Sequence, residues 1–527
     1  MALARTRSIA LDGMRGRMIE IEVDIANGLP KTVLVGLPDT SLAESRDRCH
    51  AAVGNSGHVW PNRKVTVNLS PATVPKAGSH YDLGIALCVL AATDVVPAGP
   101  LVDTLVLGEL SLDGRLRAVA GVLPATLAAV ESGCHSIMVP EANAAEAMLI
   151  EGAEVTGVRS LRHAVALLTG EEPPDDPEVP PLTDSRLYPF GSTGRAAMLD
   201  LADVVGQDDA RAAVVVAAAG GHHVRLTGPP GVGKTMLAER MPALLPDLDQ
   251  HQSMETSAIY SVAGRLGAEM PLLHRPPFVE PHHTASAVSI VGGGSKVVRP
   301  GAMSLAHNGL LFMDEAPEFN KGVLDALRQP LESGHVTISR ATQTAEFPAR
   351  FQLVLAANPC PCGLRAGQSF QCTCTSQATR RYTAKISTPV LDRIDIHREV
   401  TRASQGHLGD TLAHAEPTPV IADRVALARE RQLHRLGEMP WRCNAEVPAT
   451  VLRKQFPLAP EALVSVERRL RTYAINARTA DRVIRLAWTL ADLDGVDVPG
   501  QRQVDAAIAL RDGVPMGQRL AQSLVSA

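Results

Sequence analysis

The chain has 527 residues, of which 45% are hydrophobic and 20% charged, with a formal net charge of −5. That length allows about three domains with cores of their own, and aromatic residues at only 3% mean that Ala, Val and Leu must fill those cores. No apolar run reaches the ~18 residues of a bilayer-spanning helix, and no secretory-type segment follows Met1, so a cytoplasmic location without a membrane partner is expected; the small net charge decides nothing about a polyanionic one.

Residues 1–168 alternate β-rich and helical runs. The stretches 19–25, 64–69 and 104–108 predict strands, whereas 39–56 and 81–93 predict helices, the second apolar on nearly every side and therefore buried. Residues 170–181 hold five prolines and five acids in twelve positions. Such a run can form neither helix nor central strand, so 169–189 is expected to be a linker.

From about 190 to 400 the pattern becomes that of a nucleotide-binding α/β unit. Gly228, Pro229, Pro230, Gly231, Val232, Gly233, Lys234 and Thr235 fit the phosphate-loop pattern G-x-x-x-x-G-K-[ST] at every fixed position. The stretch 224–227 predicts a strand entering the loop, and 236–245, beginning at Met236, a helix leaving it. Glycines let successive N–H groups turn toward phosphate oxygens, and the helix start adds its positive dipole end. Lys234 is placed to reach the β- and γ-phosphates of ATP, and the Thr235 hydroxyl to ligate Mg²⁺.

The run 309–315 is apolar and ends in two acids, as a buried parallel strand carrying carboxylates at its tip would. Asp314 is the candidate for the Mg²⁺ shell and Glu315 for polarising the attacking water. A third apolar run, 352–358, ends in Asn358, an amide able to orient that water. Arg393 follows, set among acids and apolar residues; it is either a structural ion pair or an arginine finger reaching a neighbouring subunit's γ-phosphate.

Four of eight cysteines fall within fifteen residues: Cys360, Cys362, Cys372 and Cys374. Two C-x-C arms supply four thiolates, enough for a tetrahedral zinc site; buried reduced thiols and redox chemistry are the alternatives. Residues 415–527 read as helical throughout. Within 421–485 there are 13 Lys/Arg against 7 Asp/Glu, a local excess that suits either a nucleic-acid surface or a solvated helical face. Arg478 opens a long helix at 479–492, from which it could approach phosphate as part of a lid.

The order of phosphate loop, Asp-Glu strand, Asn-tipped strand, finger Arg and lid Arg resembles an AAA+ ATPase. The blocks 202–207 (ADVVGQ), 281–286 (PHHTAS), 299–308 (RPGAMSLAHN), 314–319 (DEAPEF) and 358–363 (NPCPCG) are similar to the magnesium-chelatase-like YifB/ComM family, and the likeness runs through essentially the whole chain outside the linker. The resemblance implies a ring-forming, hexameric ATPase, and in the ComM branch a branch-migration helicase acting on DNA. Two inserted hairpins, around 288–299 and 334–347 with the second turn near 341–343, would line the ring pore in related helicases. Lys296, Arg299 and Arg340 are then candidate phosphate contacts. A chelatase-type motor working on a metal-insertion partner, and a non-catalytic assembly protein with nucleotide as a latch, are the competing functions.

Residues 64–147 are in turn similar to the proteolytic domain of Lon. Lon cleaves with a serine activated by a lysine. At the serine position this chain has His80, next to Ser79, and the lysine slot corresponds to Leu123. Leucine accepts no proton, so an assembly or binding scaffold is expected rather than a protease.

Overall fold

Two sheets organise the chain. In the computed structural model, residues 2–36, 39–182, 199–267, 269–294, 297–339, 344–365, 372–401 and 416–525 are described. The first sheet is built from β1 (Ala2–Asp12), β2 (Arg15–Ala26), β3 (Lys31–Val35), β4 (Lys64–Ser70), β5 (Thr104–Val106), β8 (Ser136–Pro140) and β9 (Glu154–Val158), with a separate small hairpin of β6 (Glu109–Leu110) and β7 (Leu116–Arg117). Its strand order is β3-β4-β2-β1-β5-β8-β9, antiparallel for β1–β2 and β2–β4 and parallel elsewhere.

All three strands expected here are present, and β2 is longer than expected. Strand β1 had no apolar signal: its inward positions include Thr6 and Ser8, fully buried, whose hydroxyls donate to the Thr104 and Val106 carbonyls, both at 3.1 Å. Small hydroxyls satisfied by a neighbouring backbone can replace an apolar face. The helix Asp82–Ala92 is buried along its whole length, as its all-round apolar pattern requires. Its Asp82 is answered by Arg48 (2.6 Å) and Ser45 (2.7 Å).

The proline-acid run is irregular up to residue 182, yet it is tied back to the first unit. Asp176 pairs with Arg162 at 2.5 Å, and Arg159 donates to its carbonyl at 3.0 Å. Residues 183–198, which include the rest of the expected linker, lie outside the described residues.

The second sheet is parallel, in the order β11-β14-β17-β10-β18, where β10 is Val224–Thr227, β11 Phe278–Val279, β14 Leu310–Met313, β17 Gln352–Ala357 and β18 Ile396–Glu399. Helices including Asp208–Gly220 cover it, giving an α/β core followed by a helical C-terminal region. The helix after the phosphate loop, Lys234–Arg240, gives way to a 3₁₀ turn at Met241–Leu244, shorter than the 236–245 run suggested, because Pro242 lacks the N–H an α-helix needs there. Two small antiparallel pairs are inserted: β12 (Gly292–Gly293) with β13 (Arg299–Pro300), and β15 (His335–Ser339) with β16 (Thr344–Pro348). The first insertion departs from a simple hairpin, since Ala287–Val291 is helical.

The C-terminal helices Thr418–Leu436, Ala449–Gln455, Pro460–Arg471, Ala477–Asp494, Gln501–Asp512 and Gln518–Val525 share one apolar core with Asp208–Gly220, joining Val214, Leu226 and Ile396 to Val425, Leu486 and Leu510. One buried ion pair fastens this region to the sheet. Asp395, just before β18, bonds Arg482 and, at 3.2 Å, His222. Burial works to raise the Asp395 carboxyl, but the His222 hydrogen bond and the charge of Arg482 outweigh it and hold the group well below the usual carboxylate range. Its stabilising contribution is therefore present above the ordinary value of 3.8 and fades as pH falls below it. Asp395→Ala leaves half-buried Arg482 and buried His222 without their carboxylate and is expected to cost about 3 kcal/mol, read as a lower urea midpoint.

The N-terminal unit is seated directly on the core. Gly121 N–H donates to the Ser261 carbonyl (2.9 Å), and the Ser261 hydroxyl donates to buried Glu146 (2.6 Å). Leu123 packs on Ala258, and the β1–β2 turn places Leu11 and Met14 against Val262, Ala345 and Phe347.

Candidate functional site

The phosphate loop leaves the C-terminal end of β10, where β17 lies on one side and β18 on the other. Three glycines are required by their surroundings. Gly231 and Gly233 have φ of +75° and +93°, and a Cβ on Gly228 would come within 2.3 Å of the Val400 carbonyl. Lys234 is buried and donates to the Gly228 and Pro229 carbonyls, each at 2.8 Å, and to Asn358 Oδ1 at 3.0 Å. Desolvation lowers its ammonium pKa, opposed by Asp314 and Glu315.

Because β17 sits between β10 and β14, Asn358 rises between Lys234 and the acidic pair. The Thr235 hydroxyl donates to Asp314 Oδ2 at 2.7 Å, and the Glu315 N–H donates to Asp314 Oδ1 at 2.8 Å. These oxygens suit a hard divalent cation, which takes one or two carboxylates and keeps much of its water. Glu315 itself is exposed and has φ of +49°, a left-handed conformation uncommon outside glycine and found at functional sites. Met236 lies in the first turn of the following helix with its side chain exposed.

Two residues at this edge were not singled out from the sequence. His283 Nδ1 lies 3.5 Å from Glu315 Oε2, brought there by the chain leaving β11. Gln207, which precedes the helix Asp208–Gly220, donates its amide to the Val232 carbonyl inside the phosphate loop. Both lie in the blocks 202–207 and 281–286, whose spacing assigns no role to a single side chain; the adjacent pair His282-His283 is the available signal.

Arg393 and Arg478 are elsewhere. Both line a cavity of about 720 Å³ together with Gly221, Gly309 and Gln352, residues that precede or begin β10, β14 and β17. The cavity therefore opens at the N-terminal edge of the parallel sheet, across a strand length of roughly 13 Å from Lys234. Arg482, Arg485 and Arg442 add further guanidiniums, and burial keeps His223 there neutral, pushed down to about 4. Arg393 is held by Glu332 at 2.5 Å, and Glu332 is exposed. Arg478 is exposed in the first turn of Ala477–Asp494, whose N-cap Asn476 accepts from the Thr479 N–H at 2.8 Å. The structure thus sorts the expected residues into two half-sites at opposite edges of one sheet.

The cysteine cluster adjoins the first half-site. Cys360, Cys362, Cys372 and Cys374 place their sulfurs within 4.8 Å of one another. The Leu364 backbone N–H, followed by the Cys360 and Cys374 thiols, lowers the Cys362 thiol to about 6.

Comparison with known proteins gives the family. Residues 200–408 match the family described as magnesium chelatase, subunit ChlI; 21–143 match subunit ChlI of Mg-chelatase, and 415–511 its C-terminal part. The competence protein ComM of Haemophilus influenzae is 37% identical, covering 99% of each chain, and the uncharacterized protein YifB of Escherichia coli is 38% identical, covering 97% of each. The chain belongs to the magnesium-chelatase-like YifB/ComM family. An uncharacterized Mycobacterium tuberculosis protein of this family is 48% identical over 97% of this chain and 99% of its own.

Among the described residues of this YifB/ComM member, no helix is long and apolar enough to cross a membrane. Its C-terminal basic excess is largely occupied within the chain. Nine of the 13 cationic side chains in 421–485 bind intrachain oxygens: Arg424, Arg435, Arg442, Arg453, Arg471 and Arg482 pair with carboxylates, and Arg429, Arg431 and Arg485 donate to carbonyls. The helical-face reading of that excess is the better one. Arg299 is exposed at the end of β13, whereas Lys296 and Arg340 lie outside the described residues.

Proposed function

We propose that this protein is an ATP-hydrolysing ring motor that remodels DNA. The observation that supports it best is the division of the residues: the phosphate cradle is at one edge of the sheet, and Arg393 and Arg478 are at the other. Neither half can complete phosphoryl transfer alone, whereas copies arranged head to tail bring each cradle to a neighbour's arginines.

In this reading the loop amides and Lys234 hold the β- and γ-phosphates, with Lys234 exchanging its present oxygen partners for phosphate. Thr235 and Asp314 hold a Mg²⁺ ion, which when bound neutralises charge on the phosphate oxygens. Asn358 and Glu315 position a water. Its oxygen attacks the γ-phosphorus, its proton passes to the Glu315 carboxylate, and the bond to the β–γ bridging oxygen breaks to leave ADP. Arg393 and Arg478 of an adjoining copy stabilise the charge that develops on the transferred group. The expected ring is hexameric. The four clustered thiols hold zinc.

The DNA part of the proposal follows from the likeness to ComM and from the two inserted hairpins, which lie side by side through Gly292 and Ile338. The N-terminal unit acts as a scaffold. Ser79 donates to the Glu109 carboxylate, Lys76 is folded onto the Pro71 and Val74 carbonyls, and Leu123 is buried against the core, so a serine–lysine pair of the Lon kind is not formed among the described residues.

ATP turnover with and without forked DNA tests the reading. Strong stimulation, falling steeply as salt rises from about 50 to 200 mM, is expected, and the pair Lys296→Ala with Arg340→Ala should abolish it. Unaltered stimulation in that pair would reject the hairpins as DNA contacts. Stimulation by a protein partner and not by DNA would point to a chelatase-type motor instead.

A further inference from the structure

We infer that the four thiols form a single-ion zinc site whose role is to brace the phosphate loop. The sulfurs of Cys360 and Cys362 are 3.4 Å apart, those of Cys362 and Cys372 3.6 Å, and those of Cys360 and Cys372 3.8 Å. Thiolates around one tetrahedral ion at ~2.3 Å stand about 3.8 Å apart. A disulfide would bring two sulfurs to ~2.05 Å. A multi-iron iron–sulfur cluster, whose thiolates bind separate irons bridged by sulfide, needs wider spacing. Ordinary core packing explains Cys360, which is buried. It does not explain why exposed Cys362 and the half-buried Cys372 and Cys374 gather around it.

The position of the site gives it a consequence. The first arm begins two residues after Asn358, at the tip of β17. The second runs into Thr375, whose hydroxyl caps the helix Ser376–Thr383 by accepting from the Ala378 N–H at 3.1 Å. The first arm closes a tight turn, with the Gly363 N–H donating to the Cys360 carbonyl at 2.9 Å and Gly363 at φ of +77°. That turn presses on the phosphate loop: a Cβ on Gly363 would meet Pro230 Cδ at 2.6 Å. An ion that ties the two arms together therefore fixes the wall against which Pro230 rests, and with it Asn358, the amide that now holds Lys234. Binding releases the thiol protons to solvent. The bracing half of this inference rests on the ATP-binding reading above; the metal half does not.

The test uses the full chain purified in reducing, chelator-free buffer. Elemental analysis should find one zinc per chain, with no iron and no visible absorption. Stripping with a mercurial and chelator should weaken binding of a fluorescent ATP analogue about tenfold, the loss of roughly one good contact. It should also speed hydrogen exchange in residues 228–233, and added Zn²⁺ should reverse both. Gly363→Ala should keep its zinc while weakening nucleotide binding. Zinc far below one per chain overturns the site. Full zinc, with nucleotide affinity and loop exchange indifferent to its removal, overturns the brace. If the loaded protein binds no nucleotide at all, the ATP reading fails, while exchange in 228–233 still judges the brace.

Discussion

An Arg393→Ala protein is expected to assemble normally, to bind ATP as the parent does, and to turn it over about 10³–10⁵-fold more slowly. The guanidinium lies at the sheet edge opposite Lys234 and lines the shared cavity with Arg478, so its loss should leave its own chain's cradle intact. Mixing provides the decisive measurement. Arg393→Ala subunits retain a working cradle, and Lys234→Ala subunits retain a working finger; each alone should be nearly inactive. Combined, they should recover a fraction of wild-type turnover that follows the statistics of mixed neighbours. Mixtures as inactive as their parents would place the arginine's action within its own chain. Dilution of the wild type to monomers should likewise silence it, because Glu332 then remains the available partner for Arg393.

Glu315→Gln is expected to lower kcat by about 10²–10⁴-fold, the usual contribution of a positioned general base, with little change in nucleotide affinity. The amide preserves shape and the contact region of His283, but it cannot accept the proton of the attacking water. Pre-steady-state quench-flow measures the chemical step directly. A variant that keeps its burst of phosphate release would remove Glu315 from that step. His283→Ala should act more mildly, since the imidazole lies 3.5 Å from Glu315 and would act only through that carboxylate. Glu315→Gln with ATP should also trap rings on forked DNA visible by electron microscopy.

Much of the cradle was legible because its chemistry is contiguous in the chain. Eight successive residues make the phosphate loop, and 309–315 and 352–358 each carry a continuous apolar strand into its polar tip. Parallel strands buried on both faces produce this uninterrupted pattern. What escaped depends on partners distant in sequence. Strand β1 looks polar until β5 is beside it to receive the Thr6 and Ser8 hydroxyls. The cationic excess of 421–485 looked available for nucleic acid until its arginines met their carboxylates and carbonyls. Arg393 and Arg478, 85 positions apart by number, share one cavity because the helix Ala477–Asp494 is bonded to the chain entering β18, Arg482 donating to the Arg393 carbonyl and to Asp395. Gln207 and His283 stand on connections whose spacing carries no code.

The seating of the first unit on the core changes what counts as a separable piece. Leu123 packs against Ala258, and Glu146 reaches across to Ser261. Cutting the chain at its proline-acid run would strip the cover from Ala258, Val262, Ala345 and Phe347. The shortened chain would thus carry a bare apolar surface beside the inserted hairpin β15–β16 and would be prone to aggregate before its chemistry could be assayed.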